Sequence, residues 1–451
     1  MQNSWINNAF FYHIYPLGML GAPQRNDFHT ATQQRLEALY PWLDHIQRLG
    51  ANALYLGPLF ESSTHGYDTA DYYHVDRRLG DRSTLANLAR EIHRRGMRLV
   101  LDGVFNHVGR DFWAFRDLLA NHERSPYCSW FHNLDFSRRS PYGDPFSYEG
   151  WSGHFDLVKL NHANPEVQRH LFDAVAMWIE TFEIDGLRLD AADQLPTHFL
   201  EELAAFTRAR RGDFWLMGEI VFGDYRQLAG PGILDSATNY EMYKSLYSSH
   251  NDRNYFEVAY ALNRQFGPDG IYKDLRLYTF ADNHDVNRVA SSLKSAAHLY
   301  PLHILLFTTP GVPSIYYGSE WGLPGERTRH SDNALRPALR LEDTAALPQP
   351  NLTADIARLA ALRRQSPALS SGGYQQLHVA SEQFAFLRSH PQEQVVIAVN
   401  AAETPCEIEL NLPVRSGVLE DVLNAGSAFP ISGGTVRVTI PACWGRILVC
   451  R

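Results

Sequence analysis

Short apolar runs recur along this chain, with amphipathic helical stretches between them. The runs are Phe10–Pro16, Ala53–Leu59, Arg98–Phe105, Gly186–Asp190, Phe214–Ile220, a weaker one at Ala237–Met242, Leu277–Ala281 and Ser314–Tyr317. Their length and apolarity predict strands. Ala31–Leu49, Ser83–Arg95, Pro165–Phe182 and Thr197–Arg210 read as helices with one apolar face. Eight strands alternating with helices predict a (β/α)8 TIM barrel. The alternative, a doubly wound open sheet, would typically bring a glycine-rich turn after an early strand, and none is seen.

Two stretches break the alternation. Phe105 and Gly186 are too far apart for one loop and one helix, so residues 108–160 read as a small insertion. Twelve of its 53 residues are aromatic, against 12% for the chain. Part of that surplus serves the insertion's own core. The rest suits a wall over a sugar, whose C–H faces pack on aromatic planes. After the helical Ile356–Arg364 come short alternating runs: Phe384–Arg388, Gln394–Asn400, Glu407–Leu412, Thr435–Ile440 and Arg446–Cys450. They predict a C-terminal antiparallel β-sandwich over 367–451, packed on the barrel as a structural module. The catalytic barrel then comprises 1–107 and 161–366.

Composition mainly excludes. The chain has 451 residues, 45% hydrophobic and 20% charged, enough for a sizeable core. Its formal charge is −9 and no Lys/Arg-rich patch stands out, so nucleic acid is not an expected partner. The longest apolar stretch, Leu299–Tyr317, is broken by Pro301, Pro310, Gly311 and Pro313 and reads as buried barrel, not a membrane span. The start lacks the basic and apolar regions of a signal peptide. Cys128, Cys406, Cys443 and Cys450 show no metal spacing. The expected location is the reducing cytoplasm, with a Cys406–Cys443 or Cys406–Cys450 bridge as the alternative.

Three runs end in an acid: Gly-Leu-Arg-Leu-Asp190, Trp-Leu-Met-Gly-Glu219 and Phe-Ala-Asp-Asn-His-Asp285. Cleaving a glycosidic bond needs an acid on one side and a negative charge on the other. Arg188 stands two residues before Asp190, on the same strand face, and is expected to keep it ionised, as suits a nucleophile. Glu219 ends an apolar strand, where desolvation is expected to keep a general acid protonated. Asp285 follows His284, a donor suited to a sugar hydroxyl.

With Asp102-Gly-Val-Phe-Asn-His107, these segments resemble the conserved regions of glycoside hydrolase family 13, the α-amylase family, in order and spacing. The resemblance covers essentially the whole chain. It implies a retaining enzyme with Asp190 as nucleophile, Glu219 as acid/base and Asp285 as the residue that distorts the sugar at subsite −1. It implies −1 contacts from His107, Arg188 and His284, and from Tyr67 and Asp68 in His65-Gly-Tyr-Asp-Thr-Ala-Asp-Tyr72. Asp156-Leu-Val-Lys-Leu-Asn161 is similar to the Met-Pro-Lys-Leu-Asn signature of cyclomaltodextrinases, neopullulanases and maltogenic amylases. Asp332 and Arg336 match that group's contact to the sugar on the non-reducing side, and Phe222 is a candidate apolar contact at +1. Strand one starts near Phe10, so the group's N-terminal β-domain, and the dimer it builds, are not expected. No cofactor is implied as required. Calcium is the candidate ion, held as in α-amylases by Asn106 and oxygens of the insertion, where Asp111, Asp135 and Asp144 lie. The expected substrates are short or cyclic malto-oligosaccharides. Two alternatives use the same residues: a transglycosylase or isomerase resembling trehalose synthase, and a general α-amylase acting on starch.

Overall fold

The computed structural model describes residues 4–451. Its centre is a parallel sheet of eight strands: β1 (Phe11–Ile14), β2 (Ala53–Leu56), β3 (Arg98–Gly103), β4 (Gly186–Leu189), β5 (Trp215–Gly218), β6 (Ser236–Ala237), β7 (Tyr278–Phe280) and β8 (Val312–Tyr316). The order is β6-β5-β4-β3-β2-β1-β8-β7. A parallel bridge from Thr238 to Tyr278 joins β6 to β7 and closes the barrel.

Alternation along each strand divides the residues between two environments. Phe11, Ala53, Tyr55, Val100, Trp215, Met217, Tyr278, Phe280 and Val312 form a cluster of their own inside the barrel. Tyr12, Leu54, Leu99, Leu101, Leu187, Leu189 and Leu216 belong to the larger outer core, shared with the helices. Arg188, between Leu187 and Leu189, is thereby aimed inward. At the close contact between β4 and β5 the chain carries Gly186, where a Cβ would lie 2.4 Å from the Trp215 carbonyl oxygen.

The apolar runs overshoot the strands at several ends. Asp190 and Glu219 lie just past the last residues of β4 and β5. The run Ala237–Met242 is corrected more strongly: only Ser236–Ala237 is strand, and Tyr240–Asn251 is helix. Asn239 causes the switch, its side chain accepting the Met242 N–H at 3.0 Å as an N-cap. Leu299–Tyr317 is likewise two elements, a helix over Leu299–Thr308 and then β8, separated by a turn in which Gly311 has φ +114°. Among the described residues no helix is long and apolar enough to cross a membrane. All four cysteines are free thiols.

Between β3 and β4 the chain makes a small antiparallel sheet from His107–Gly109, Gly150–Trp151 and His154–Lys159. Phe112, Phe115, Phe131 and Phe146 fill its core, while Trp151 stays half-buried beside His107, with ring centroids 5.7 Å apart.

The C-terminal part is an eight-stranded antiparallel sheet. Gly373–Val379, Ser416–Asp421 and Ala428–Ser432 join the five runs legible in the sequence. Ala385, Leu387, Val396, Ala398 and Leu448 turn into the domain's own core. Phe384, Phe386, Val395, Ile397 and Ile447 face the other way, into the core shared with the barrel. Buried Arg388 fastens this junction. It donates to the carbonyl of Thr308, the last residue of the barrel helix, and to those of Gly372 and Gly373. Arg363 does the same for Phe307, Thr309 and Gly311. Helix C-terminal carbonyls need such donors. Arg388→Met would leave the buried carbonyls of Thr308 and Gly372 without this donor, each worth about 1–3 kcal/mol. A fall in stability of about 3 kcal/mol or more is expected in calorimetry. An unchanged Tm would show that water serves these carbonyls equally well.

Candidate active site

Arg188 is the hub of the barrel's upper end. Its Nη1 donates to Asp102 Oδ1 and to Asp190 Oδ1, each at 2.9 Å, and its Nη2 lies 2.9 Å from Glu219 Oε2. Three carboxylates from the neighbouring strands β3, β4 and β5 thus share one buried guanidinium. Asp102 also accepts from Tyr55 at 2.7 Å and from Tyr67 at 3.0 Å. Its side chain is wholly buried, and it fixes Arg188 from below.

This sharing corrects the expected electrostatics. Burial raises the Asp190 carboxyl well above its ordinary value. Arg188 opposes the rise, but Glu219, Asp102 and Asp285 reinforce it. One guanidinium divided among three acids does not keep Asp190 ionised alone. Glu219 departs from its expected setting as well. Trp215 and Met217 lie below it in the barrel interior, but its carboxyl head is ringed by donors. Besides Arg188, Oε2 accepts the Ala191 N–H at 3.2 Å, and Oε1 accepts the Tyr240 hydroxyl at 3.1 Å. Ala191 reaches it from a left-handed backbone, φ +45°.

Asp285 stands in a second cluster. Burial alone would raise it, but His284, Arg336 and Arg188 outweigh that and hold it well below the usual carboxylate range. His284 Nε2 is 2.9 Å from Asp285 Oδ2, and Arg336 Nη2 donates to Oδ1 at 2.8 Å. His284 is not free to grip a sugar through that nitrogen, which also meets the Tyr67 hydroxyl. Its ring stacks on both Tyr67 and Tyr15, with centroids 5.5 and 5.6 Å away. Arg336 lies over Tyr15, 4.7 Å from the ring centroid, and also donates to the His284 carbonyl at 2.9 Å. Its first task is therefore to clamp Asp285. Asp332 sits farther out, paired with Arg327 at 2.8 Å and with Arg336 at 3.7 Å.

His107 closes the other side. Its Nε2 is 3.7 Å from Asp190 Oδ2 and makes no hydrogen bond among the described residues. Burial lowers this imidazole to about 3, so it is neutral. Asp68 turns away into its own loop, accepting from Thr64 Oγ1 at 2.6 Å and from the His65 and Gly66 N–H groups. Phe222, 84% exposed, stands on the loop after β5, outside both clusters.

The three acids expected to join Asn106 around a calcium ion have partners of their own. Asn106 Oδ1 is buried and unserved among the described residues, as an ion ligand would be. Asp144 pairs with Arg110 at 2.8 Å, Asp111 accepts from Ser63 at 2.8 Å, and Asp135 accepts from Ser137 at 2.6 Å. Glu149 lines the same cavity as Asn106, and there it binds the Lys159 ammonium at 2.9 Å. The protein's own cation thus takes the acid that shares this cavity with Asn106. Among the described residues no three His, Cys, Asp or Glu side chains group as a metal site.

Sequence reasoning missed Tyr240, Tyr15 and Tyr55, and gave Asp102 no role. Asp102 carried a signal, being two residues beyond Val100 on an inward-facing strand position. Tyr240 was hidden by the strand expected across it.

Known proteins agree with this architecture. The family described as Alpha amylase, catalytic domain, matches residues 35–360, and that described as Maltogenic Amylase, C-terminal domain, matches residues 374–445. A cyclomaltodextrinase from a Bacillus sp is 30% identical, over 88% of this chain and 73% of its own length. The intracellular maltogenic amylase of Bacillus subtilis is 28% identical, over 85% of this chain and 66% of its own. The solved cyclic α-maltosyl-(1→6)-maltose hydrolase of Arthrobacter globiformis has a TM-score of 0.82 and 27% identity, covering 99% of this chain and 100% of its own.

Proposed function

Because the chain belongs to the α-amylase family of glycoside hydrolases, we propose that it hydrolyses α-1,4 and α-1,6 glucosidic bonds of short or cyclic malto-oligosaccharides with retention of configuration. The observation that carries this reading is the sharing of Arg188 by Asp190 and Glu219. Two carboxylates on the two terminal nitrogens of one guanidinium favour the close spacing of retaining enzymes, about 5–5.5 Å. In the first step Glu219 gives its proton to the glycosidic oxygen while Asp190 attacks the anomeric carbon. In the second, Glu219 takes a proton from water, which releases the sugar from Asp190. Arg188 compensates charge throughout, since each step moves one negative charge between its two partners. Tyr67, held flat against His284, supplies an aromatic face to the −1 sugar. Asp285, kept ionised by Arg336 and His284, accepts hydrogen bonds from that sugar's hydroxyls.

The names of the relatives support the substrate class, and the intracellular one supports a cytoplasmic location. A second reading, transfer to a sugar acceptor, draws on exposed Phe222, an apolar ring at the loop that follows the acid/base. Product analysis on β-cyclodextrin, maltotriose, panose, pullulan and starch, with and without added glucose, separates the readings. We expect the cyclic and short sugars to be cleaved faster than starch. A strong preference for soluble starch would sink the substrate assignment. Longer or rearranged sugars in place of free glucose would move the reaction to transfer.

A further inference from the structure

Glu219 has a partner that these two steps leave unused. Tyr240 opens the helix after β6, and its hydroxyl lies 3.1 Å from Glu219 Oε1. Asn283 Nδ2 donates to that hydroxyl at 3.2 Å, while Asn283 Oδ1 accepts the Asp285 N–H at 2.8 Å. The Tyr240 ring is set edge-on against Phe280, centroids 5.1 Å apart at 83°. The hydroxyl is therefore fixed from two sides, with its remaining capacity turned to Glu219.

The two oxygens of Glu219 have different company. Oε2 faces the Arg188 guanidinium and the Ala191 backbone N–H. Both are donors with no acceptor capacity, so a proton on Oε2 would point at other protons. Oε1 faces a hydroxyl, which donates or accepts as required.

We propose that Tyr240 is a positioning residue for the acid/base: Oε1 carries the catalytic proton, and the Tyr240 hydroxyl turns from acceptor to donor as that proton leaves. The inference rests on the assignment of Glu219 as acid/base. In the glycosylation step the Oε1–H bond breaks and its proton joins the glycosidic oxygen. The bond from that oxygen to the anomeric carbon breaks, its electron pair staying on oxygen, and Asp190 forms the new bond to carbon. Glu219 is left as a carboxylate, and Tyr240, keeping its own proton, donates to the newly charged Oε1. Its hydrogen bond is thus stronger in the transition state than in the resting acid, which is the condition for acceleration.

The test is the ratio of kcat/KM on two substrates. Maltotriose leaves as a sugar alkoxide and needs the proton. α-Maltosyl fluoride leaves as fluoride and does not. For Tyr240→Phe, which keeps the ring against Phe280, we expect a loss of about 10–100-fold on maltotriose, the size of one hydrogen bond to a charged group, and little change on the fluoride. Glu219→Gln run in parallel should show the same selectivity, more strongly. Both rates come from one preparation, so the ratio is independent of how much of the variant is folded. Equal losses on the two substrates, or no loss on maltotriose, would overturn the role of Tyr240 while Glu219→Gln stayed selective. A non-selective Glu219→Gln would remove the acid/base assignment, and the role of Tyr240 with it.

Discussion

Asp190→Asn and Glu219→Gln are each expected to lower kcat on maltotriose by about 10²–10⁴-fold or more, in proteins that still fold and bind sugar. Both changes keep the shape of the side chain and remove one function. Asparagine offers no anionic oxygen to the anomeric carbon, and glutamine has no proton to give the leaving oxygen. A 10⁴-fold loss corresponds to about 5.5 kcal/mol of transition-state stabilisation. Binding contacts through Tyr67 and Asp285 are untouched, so sugar affinity should persist. Stability should move the other way for Asp190→Asn. Burial raises this carboxyl, so its charge at neutral pH opposes folding, and a neutral amide relieves three acids crowding one guanidinium. Its Tm should therefore equal or exceed that of the parent in calorimetry. Near-normal turnover in either variant would show that the carboxylates are wrongly assigned.

Acid is expected to unfold the protein steeply. Burial lowers His107 and His250 to about 3, His162 and His303 to about 4, and His13 well below its ordinary value. Above pH of about 6.5 these imidazoles are neutral in both states and add no pH dependence. Below it the unfolded chain binds a proton at each and the folded chain does not, so stability falls as pH falls. Each extra proton contributes a slope of about 1.4 kcal/mol per pH unit. Five together give about 7 kcal/mol per unit near pH 5 as an upper value. Asp190, Asp282 and Asp355, raised by burial, bind protons earlier in the folded state and offset part of it. The Tm measured from pH 7 to 4.5 should drop with a slope that increases below pH 6. A flat Tm down to pH 5 would mean that the folded protein already protonates these rings.

What the sequence disclosed follows from what strand geometry dictates. A barrel strand is covered on both sides, so its residues are mostly apolar and stand out as runs, Ala53–Leu56 and Leu99–Leu101 among them. The acids after those runs were legible because the chemistry sits where strands end. The two-residue β6 was obscured because Asn239 starts a helix at once and Tyr240, though aromatic, belongs to that helix. Contacts between loops were not legible at all. Asp68 and Arg336 bear the charges of sugar ligands, yet one ties its own loop and the other clamps Asp285. The setting of Asp190 was misread for a related reason: Arg188 was visible beside it, while Asp102, 86 residues before that arginine, and Glu219, on the next strand, were not seen to share it.

The carbonyls sealed by Arg388 bear on the order in which the chain is made. β8 is the last barrel strand to be synthesised, and it pairs with β1, the first. The helix leading into β8 ends at Thr308, and its capping guanidinium comes 80 residues later. On the ribosome the Thr308 carbonyl stays without this donor until the strand Gln383–His390 has emerged, although Arg363 reaches its neighbours Phe307 and Thr309 earlier. The end of the helix that feeds the last barrel strand thus gains its Arg388 donor only after all eight barrel strands have been made, which ties the finishing of the barrel's rim to the C-terminal sheet.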